Sequence, residues 1–363
     1  MSIPFDVGSW GLFCGQDLRQ LVLVDDQPCG PVSARKVSRS LTRRLLLDEG
    51  RVARAAQDVR HVREEVSHAG TQWVVKLHPV GSPRSARTVG VLAGVFPAEA
   101  SIPDLPLVGS WEWEIERDED GEPTPRRRTY WDRNLFLIYD VDSGAAQQQR
   151  GYWEVGEWAN ELVDQADQMR VNRSVRDGIR DGLPGTAGVY RYLTYHVVTG
   201  YGSPVRGRRH LRSVGTAAPV APHDDKIILL GLSYEVPETF RDMAFEQDDS
   251  AARVDDVLHG VMGLAREPMA VVDAMTLDVL MTSPSWRRER LDYVGGLRGL
   301  VDGSPEDLVE LHSLMAEAVG STEPTRAVRV RLRRTDGSVQ EVSITATGVP
   351  GARHRDVVIR LDS

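Results

Sequence analysis

Met269-Ala270-Val271-Val272-Asp273 and Leu277-Asp278-Val279-Leu280-Met281 are two short apolar runs separated by a turn, and they set the reading of the C-terminal region. Runs of this length, bounded by turn residues, read as strands. Ser304-Pro305-Glu306-Asp307 then opens a helix, with serine suited to the N-cap, proline to the first helical position and an acid to the third. Leu308, Leu311, Leu314, Met315 and Val319 share one side of it. Ala327–Arg333 and Val339–Ala346 flank Thr335-Asp336-Gly337-Ser338, a hairpin signal, and Val357–Leu361 is a last strand. Residues 266–363 are therefore expected to fold as an α+β module, an antiparallel sheet with helices on one face.

Upstream, the linker containing Phe245-Glu246-Gln247-Asp248-Asp249-Ser250 leads into a predicted helix over 251–265, with Val254, Val257, Leu258, Val261 and Leu264 along one face. Residues 105–238 form a second expected module. It starts at Gly109-Ser110-Trp111-Glu112-Trp113-Glu114-Ile115, where alternation puts Trp111, Trp113 and Ile115 on one side of a strand. A charged turn, an aromatic segment (129–141) and a helix over 156–169 follow, then strands over 188–199, 209–217 and 226–236. Residues 97–106 carry three prolines and read as a linker. Residues 1–98 are expected to be a smaller α+β domain: a strand at 21–24, a helical period over 36–66, and a hairpin of 72–80 with 88–96.

The order of elements in 266–363 resembles a PAS domain. The residues that carry the resemblance are Pro268–Asp273, Leu277–Met281 with Ser283-Pro284-Ser285-Trp286, Asp302–Asp307 and Arg333–Ser338. PAS sequences often have asparagine where Ser283 stands. Gly109–Ile115, Tyr130–Leu135 and Ile138-Tyr139-Asp140 are similar to the opening strand and following segment of PAS domains, and residues 1–98 resemble PAS or GAF modules in outline. The whole chain is similar to actinobacterial, mycobacterial-type proteins built from tandem PAS-like domains with no attached output domain. The resemblance implies a cytosolic sensory role, exercised through a small molecule, a protein partner or both.

Composition agrees with a folded, water-soluble chain of 363 residues, 41% of them apolar and 27% charged. The net charge of −9 disfavours general nucleic-acid binding. No stretch is long and apolar enough to span a membrane, and no secretory leader is visible, so a cytoplasmic location is expected. Only three of the 44 basic residues are lysine, a bias common in GC-rich genomes. Two cysteines, Cys14 and Cys29, exclude a disulfide scaffold, and because both precede the PAS-like segments they exclude a flavin–thiol photoadduct there.

Aromatic residues dominate the second module. Trp113, Trp131, Tyr139, Trp158, Tyr192 and Tyr195 are the candidate ligand pocket, since aromatic side chains often line such sites; an aromatic core without a cavity is the competing reading. Arg208 and Arg212 have the R-x-x-x-R spacing of some anion sites. Alternation would put Arg208, His210 and Arg212 together on an exposed strand face, for which a charged, aggregation-blunting edge is the plainer reading. His196 is weighed as a haem ligand and set behind an ordinary hydrogen-bonded histidine. His61-Val62-Arg63-Glu64-Glu65 begins like a zinc motif but has Glu65 at the second histidine position, which favours a solvated helix face and no metal. Nucleophile-elbow, P-loop and kinase motifs are missing, and the chain stops directly after its last strand, so no enzyme activity is expected and the output is assigned to a separate protein. The residues name no cofactor. A protein-interaction scaffold or dimerisation module without a small-molecule ligand is the alternative, a homodimer is compatible with either reading, and an undescribed enzyme stands behind both.

Overall fold

The computed structural model describes residues 3–119, 121, 123–183, 189–219, 224–240, 249–289, 291, 296–301, 305–334, 336–349 and 355–362. Ser304, Asp302, Gly303, Thr335 and the linker residues 245–248, all used in the sequence reading, lie outside them. Among the described residues the strands are β1 (Trp10–Cys14), β2 (Gln20–Val24), β3 (Gln27–Ser33), β4 (Val62–His68), β5 (Thr71–Gly81), β6 (Thr88–Pro97), β7 (Gly109–Arg117), β8 (Pro123–Trp131), β9 (Tyr152–Glu154), β10 (Tyr190–Thr199), β11 (Gly207–Ala217), β12 (Lys226–Glu235), β13 (Met269–Asp273), β14 (Val279–Thr282), β15 (Val328–Arg333), β16 (Val339–Gly348) and β17 (Asp356–Asp362). They make three mostly antiparallel sheets, ordered β3-β2-β1-β6-β5-β4, β10-β11-β12-β7-β8-β9 and β14-β13-β17-β16-β15. The result is an α+β protein. Its residues fall into two compact units: 1–114, 129–152 and 178–246 in one, and 115–128, 153–177 and 247–363 in the other.

Strand alternation organises the first unit. Phe13, Leu21, Val75, Leu77, Val91, Ala93 and Val95 point to one side of the first sheet, where Leu45, Leu46, Val52 and Ala55 cover them. Leu12, Cys14, Val22 and Leu92 point to the other side and pack with Tyr192, Val214, Leu232 and Tyr234 of β10–β12. Both faces of the first sheet are therefore buried. The expected helical period over 36–66 does not persist to its end. Helix Arg51–Asp58 stops at Val59, which is left-handed (φ 47°), and 62–68 is the edge strand β4. The turn Ala69-Gly70 has positive φ at both residues, the geometry of a tight hairpin. Consequently the residues read as a solvated helix face, Arg63, Glu64 and Glu65, are exposed residues of a strand.

In the second unit the third sheet is covered on both faces, not on one as expected. Ala270, Val272, Val330, Leu332, Ile344 and Ile359 face helix Pro305–Ala318, which contributes Leu311, Leu314 and Met315. Val271, Leu280 and Met281, beside an irregularity in the β13–β14 pairing, face Met169 and Met262. Those two methionines come from helix Gln168–Asp181 and helix Asp249–Leu264. The apolar face expected on the latter is rotated. Leu258 and Met262, one turn apart, face the sheet, whereas Val257, Val261 and Leu264 are exposed. Among the described residues no helix is long and apolar enough to cross a membrane.

Candidate functional site

β10 presents different side chains to its two sides, and the candidate pocket residues divide accordingly. Tyr195 points one way, and its hydroxyl lies 3.0 Å from that of Tyr139. Tyr139 follows helix Arg133–Ile138, whose N-cap is Asp132: its Oδ1 accepts from the Leu135 N–H at 2.8 Å, and its Oδ2 accepts from the Ser110 hydroxyl at 2.9 Å. Burial raises the Asp132 carboxyl above the usual carboxylate range. The Trp131 ring packs on Tyr139 with centroids 4.4 Å apart and on Phe136 at 5.2 Å. Trp131, Tyr139 and Tyr195 thus form one buried cluster in which rings meet rings.

Trp113 lies on β7 beside Trp111, with centroids 6.2 Å apart. The Trp111 indole lies against Gly215 and Gly231: a Cβ at Gly231 would sit 2.1 Å from the indole, so only glycine admits it there. Trp113 and Trp111 share a face, as alternation required. Trp158 is buried on helix Val155–Glu161, in the other compact unit.

Tyr192 points to the opposite side of β10 from Tyr195, toward the first sheet, and its hydroxyl donates to Gln20 Oε1. This is the side on which Arg212 lies. The exposed strand face expected for Arg208, His210 and Arg212 is corrected here: Arg208 is exposed, but His210 is buried and Arg212 is 0% exposed. This face of β11 packs on the first sheet, which covers the side chains of its central residues. The Arg212 guanidinium instead donates to the Cys29 carbonyl at 2.6 Å, the Val22 carbonyl at 3.2 Å and the Tyr234 hydroxyl at 2.9 Å, and it lies 5.2 Å from the ring centres of Tyr192 and Phe240. Tyr234 donates in turn to Val22 O at 3.0 Å. Cys14 is buried beside this group, which pushes its thiol up to about 12, and burial likewise raises the Tyr234 phenol. These thiol and phenol groups stay protonated at neutral pH, so the assembly is a hydrogen-bonded clasp and not a nucleophile.

A second arginine clasp lies in the other unit, and the sequence reading missed it. On helix Gln168–Asp181, Arg173 pairs with Asp356, Arg176 pairs with Asp273, and the Asn172 amide donates to the Leu280 carbonyl at 2.8 Å. Asp273 is fully buried, and its Oδ1 also accepts the N–H groups of Met275 and Thr276. Nearby Arg127 bonds Asp278 at 2.8 Å. The helix and the turns at one end of the third sheet are held together by these pairs, around the methionine contact already described. Ser283 is buried, accepts the Met269 N–H at 2.9 Å and donates to the Glu267 carbonyl at 3.1 Å, so it fastens the strand corner. A small cleft in the same unit, about 20 Å³ and lined by Pro268, Leu291, Arg334 and Leu361, has room for about one water molecule.

No protein-family model and no curated protein matches the chain. Among solved structures, an uncharacterized protein from Mycobacterium tuberculosis is similar over 98% of this chain and 97% of its own, at 16% identity and a TM-score of 0.61. An RNA-binding light-oxygen-voltage receptor covers 70% of this chain and 95% of its own at 11% identity and a TM-score of 0.24. A PAS domain of an HTR-like protein from Haloarcula marismortui covers 32% of this chain and 98% of its own at 11% identity and the same TM-score. Scores at that level bear no weight for function. The chain is thus an α+β protein whose fold, along nearly its whole length, is similar to that of the mycobacterial protein.

Proposed function

We propose that the chain is a non-enzymatic sensory protein, in which tandem PAS-like modules over 105–238 and 266–363, with a further module over 1–98, bind a small molecule or a protein partner and pass the event to a separate output protein. The observation that carries this reading is helix Gln168–Asp181 seated on the third sheet. Its segment belongs by sequence to the second module, yet it packs with the third through Met169, Arg173 and Arg176. Methionine side chains adapt to small displacements, and a contact built from them and a few ion pairs can hold two arrangements. A ligand acts on such a contact only through its differential affinity for those arrangements. The helix Asp249–Leu264, expected over 251–265 to join the modules, covers the same sheet face through Leu258 and Met262. This reading places the coupling in two helices.

The ring-on-ring packing of Trp131, Tyr139 and Tyr195 favours the second reading, a protein-interaction scaffold with no small-molecule ligand. Mass spectrometry of the purified chain, native and then denatured, with an absorption spectrum of the same sample, separates the two. A mass excess that disappears on denaturation is the result expected for a ligand-binding sensor. No excess and no visible absorption removes the small molecule and leaves signalling by protein contact alone.

A further inference from the structure

His196 and His210 are direct cross-strand partners in β10 and β11. Their rings stack, with centroids 4.5 Å apart and planes 17° apart. Glu238, three residues beyond β12, brings a carboxylate to the pair, with Oε2 2.9 Å from His196 Nε2. One donor atom from each of the three side chains lies within 4.8 Å of the other two. His210 Nδ1 is 3.0 Å from the Pro237 carbonyl. A carbonyl can only accept, so Nδ1 carries the proton and the lone pair of the neutral ring is on Nε2. Backbone carbonyls orient metal-ligating histidines in the same manner. The group is anchored at the buried His210 and opens toward solvent at the exposed Glu238.

We propose that His196, His210 and Glu238 form a binding site for a first-row divalent cation of the zinc class, with the remaining coordination position open to water. Two imidazoles and one carboxylate suit Zn²⁺ and its neighbours, and three protein ligands leave a fourth position. Bonds of about 2.0–2.1 Å require donor atoms somewhat closer than the widest present spacing, a change the exposed Glu238 side chain can supply. Arg208 is the nearby cation that opposes metal binding. His61 and His78, with Nδ1 atoms 3.0 Å apart, offer a two-nitrogen site elsewhere on the chain and serve as an internal comparison.

Calorimetric titration of the full chain with Zn²⁺, repeated with Co²⁺ followed by visible absorption, tests the assignment. One equivalent is expected to bind at pH 7.5. Glu238→Gln is expected to weaken binding about tenfold or more, His196→Ala to abolish the specific equivalent, and His61→Ala to leave it unchanged. Binding should weaken as the pH falls, because protons compete with the metal for the ligand atoms. Because Glu238 is exposed, its substitution keeps the test meaningful even if a histidine variant folds poorly. Absence of stoichiometric binding, or binding indifferent to Glu238→Gln and lost in His61→Ala, would overturn the proposal.

Discussion

Two arginine clasps, one in each compact unit, solve the same problem by different chemistry. Arg212 joins β11 to the first sheet through two backbone carbonyls and a tyrosine hydroxyl, between two aromatic rings and away from water. Arg173 and Arg176 fasten helix Gln168–Asp181 to the third sheet through carboxylates, and their own side chains keep some contact with solvent. A fully enclosed cation in a hydrogen-bonded network opens only when the surrounding core opens. Partly hydrated ion pairs around a methionine contact can release locally. The difference assigns rigidity to the first unit's sheet packing and adjustability to the helix of the second.

Substitution at Arg212 should have the larger effect. Arg212→Ala leaves the Val22 carbonyl, the Cys29 carbonyl and the Tyr234 hydroxyl without their charged donor. At about 1–3 kcal/mol for each buried group so affected, a loss of at least about 3 kcal/mol is expected in urea unfolding. High salt should change this little, because water and ions do not reach the site. A loss under about 1 kcal/mol would break the distinction between the clasps. Arg176→Ala should cost less, about 1–3 kcal/mol, since Asp273 keeps its bonds to the Met275 and Thr276 N–H groups. Its cost should depend on salt more than that of Arg212→Ala, because the Arg176 side chain keeps some contact with solvent. An effect as large as that of Arg212→Ala, and equally insensitive to salt, would merge the two cases.

The sequence made the third sheet legible because β13, β15, β16 and β17 carry apolar residues either in short runs or at every second position, between strong turn signals. The aromatic run around Trp131 and Tyr139 was legible for a different reason: few other uses exist for so many rings so close together. Edge strands were harder. β3 contains Pro28, Gly30 and Pro31, which carry no strand signal yet are tolerated at the rim of a sheet. β4 contains Arg63, Glu64 and Glu65, whose charges suit an edge and carry no strand period. The burial of Arg212 was invisible because its partners, Val22 and Cys29, lie on strands far away in sequence, and local alternation says which side a residue takes but not what covers that side. The single helix expected over 156–169 is instead broken: Val155–Glu161 ends at Leu162, a 3-10 turn follows at Gln165–Asp167, and a separate helix Gln168–Asp181 runs through a polar segment whose arginines are matched by Asp273 and Asp356 of a later module. Tyr192 and Tyr195 illustrate the same limit: their odd spacing already put them on opposite sides of a strand, so a single pocket containing both was inconsistent with period two.

Hydrogen exchange on the full chain, comparing wild type with the Arg173→Ala, Arg176→Ala double variant, tests most directly whether the helix contact is separable from the core. The account predicts that amides of 168–181 exchange about tenfold faster or more, while amides of β10, β11 and β12 keep their wild-type protection. Uniform acceleration across the chain, or an unchanged helix, would contradict a locally releasable contact and with it the proposed route of the signal.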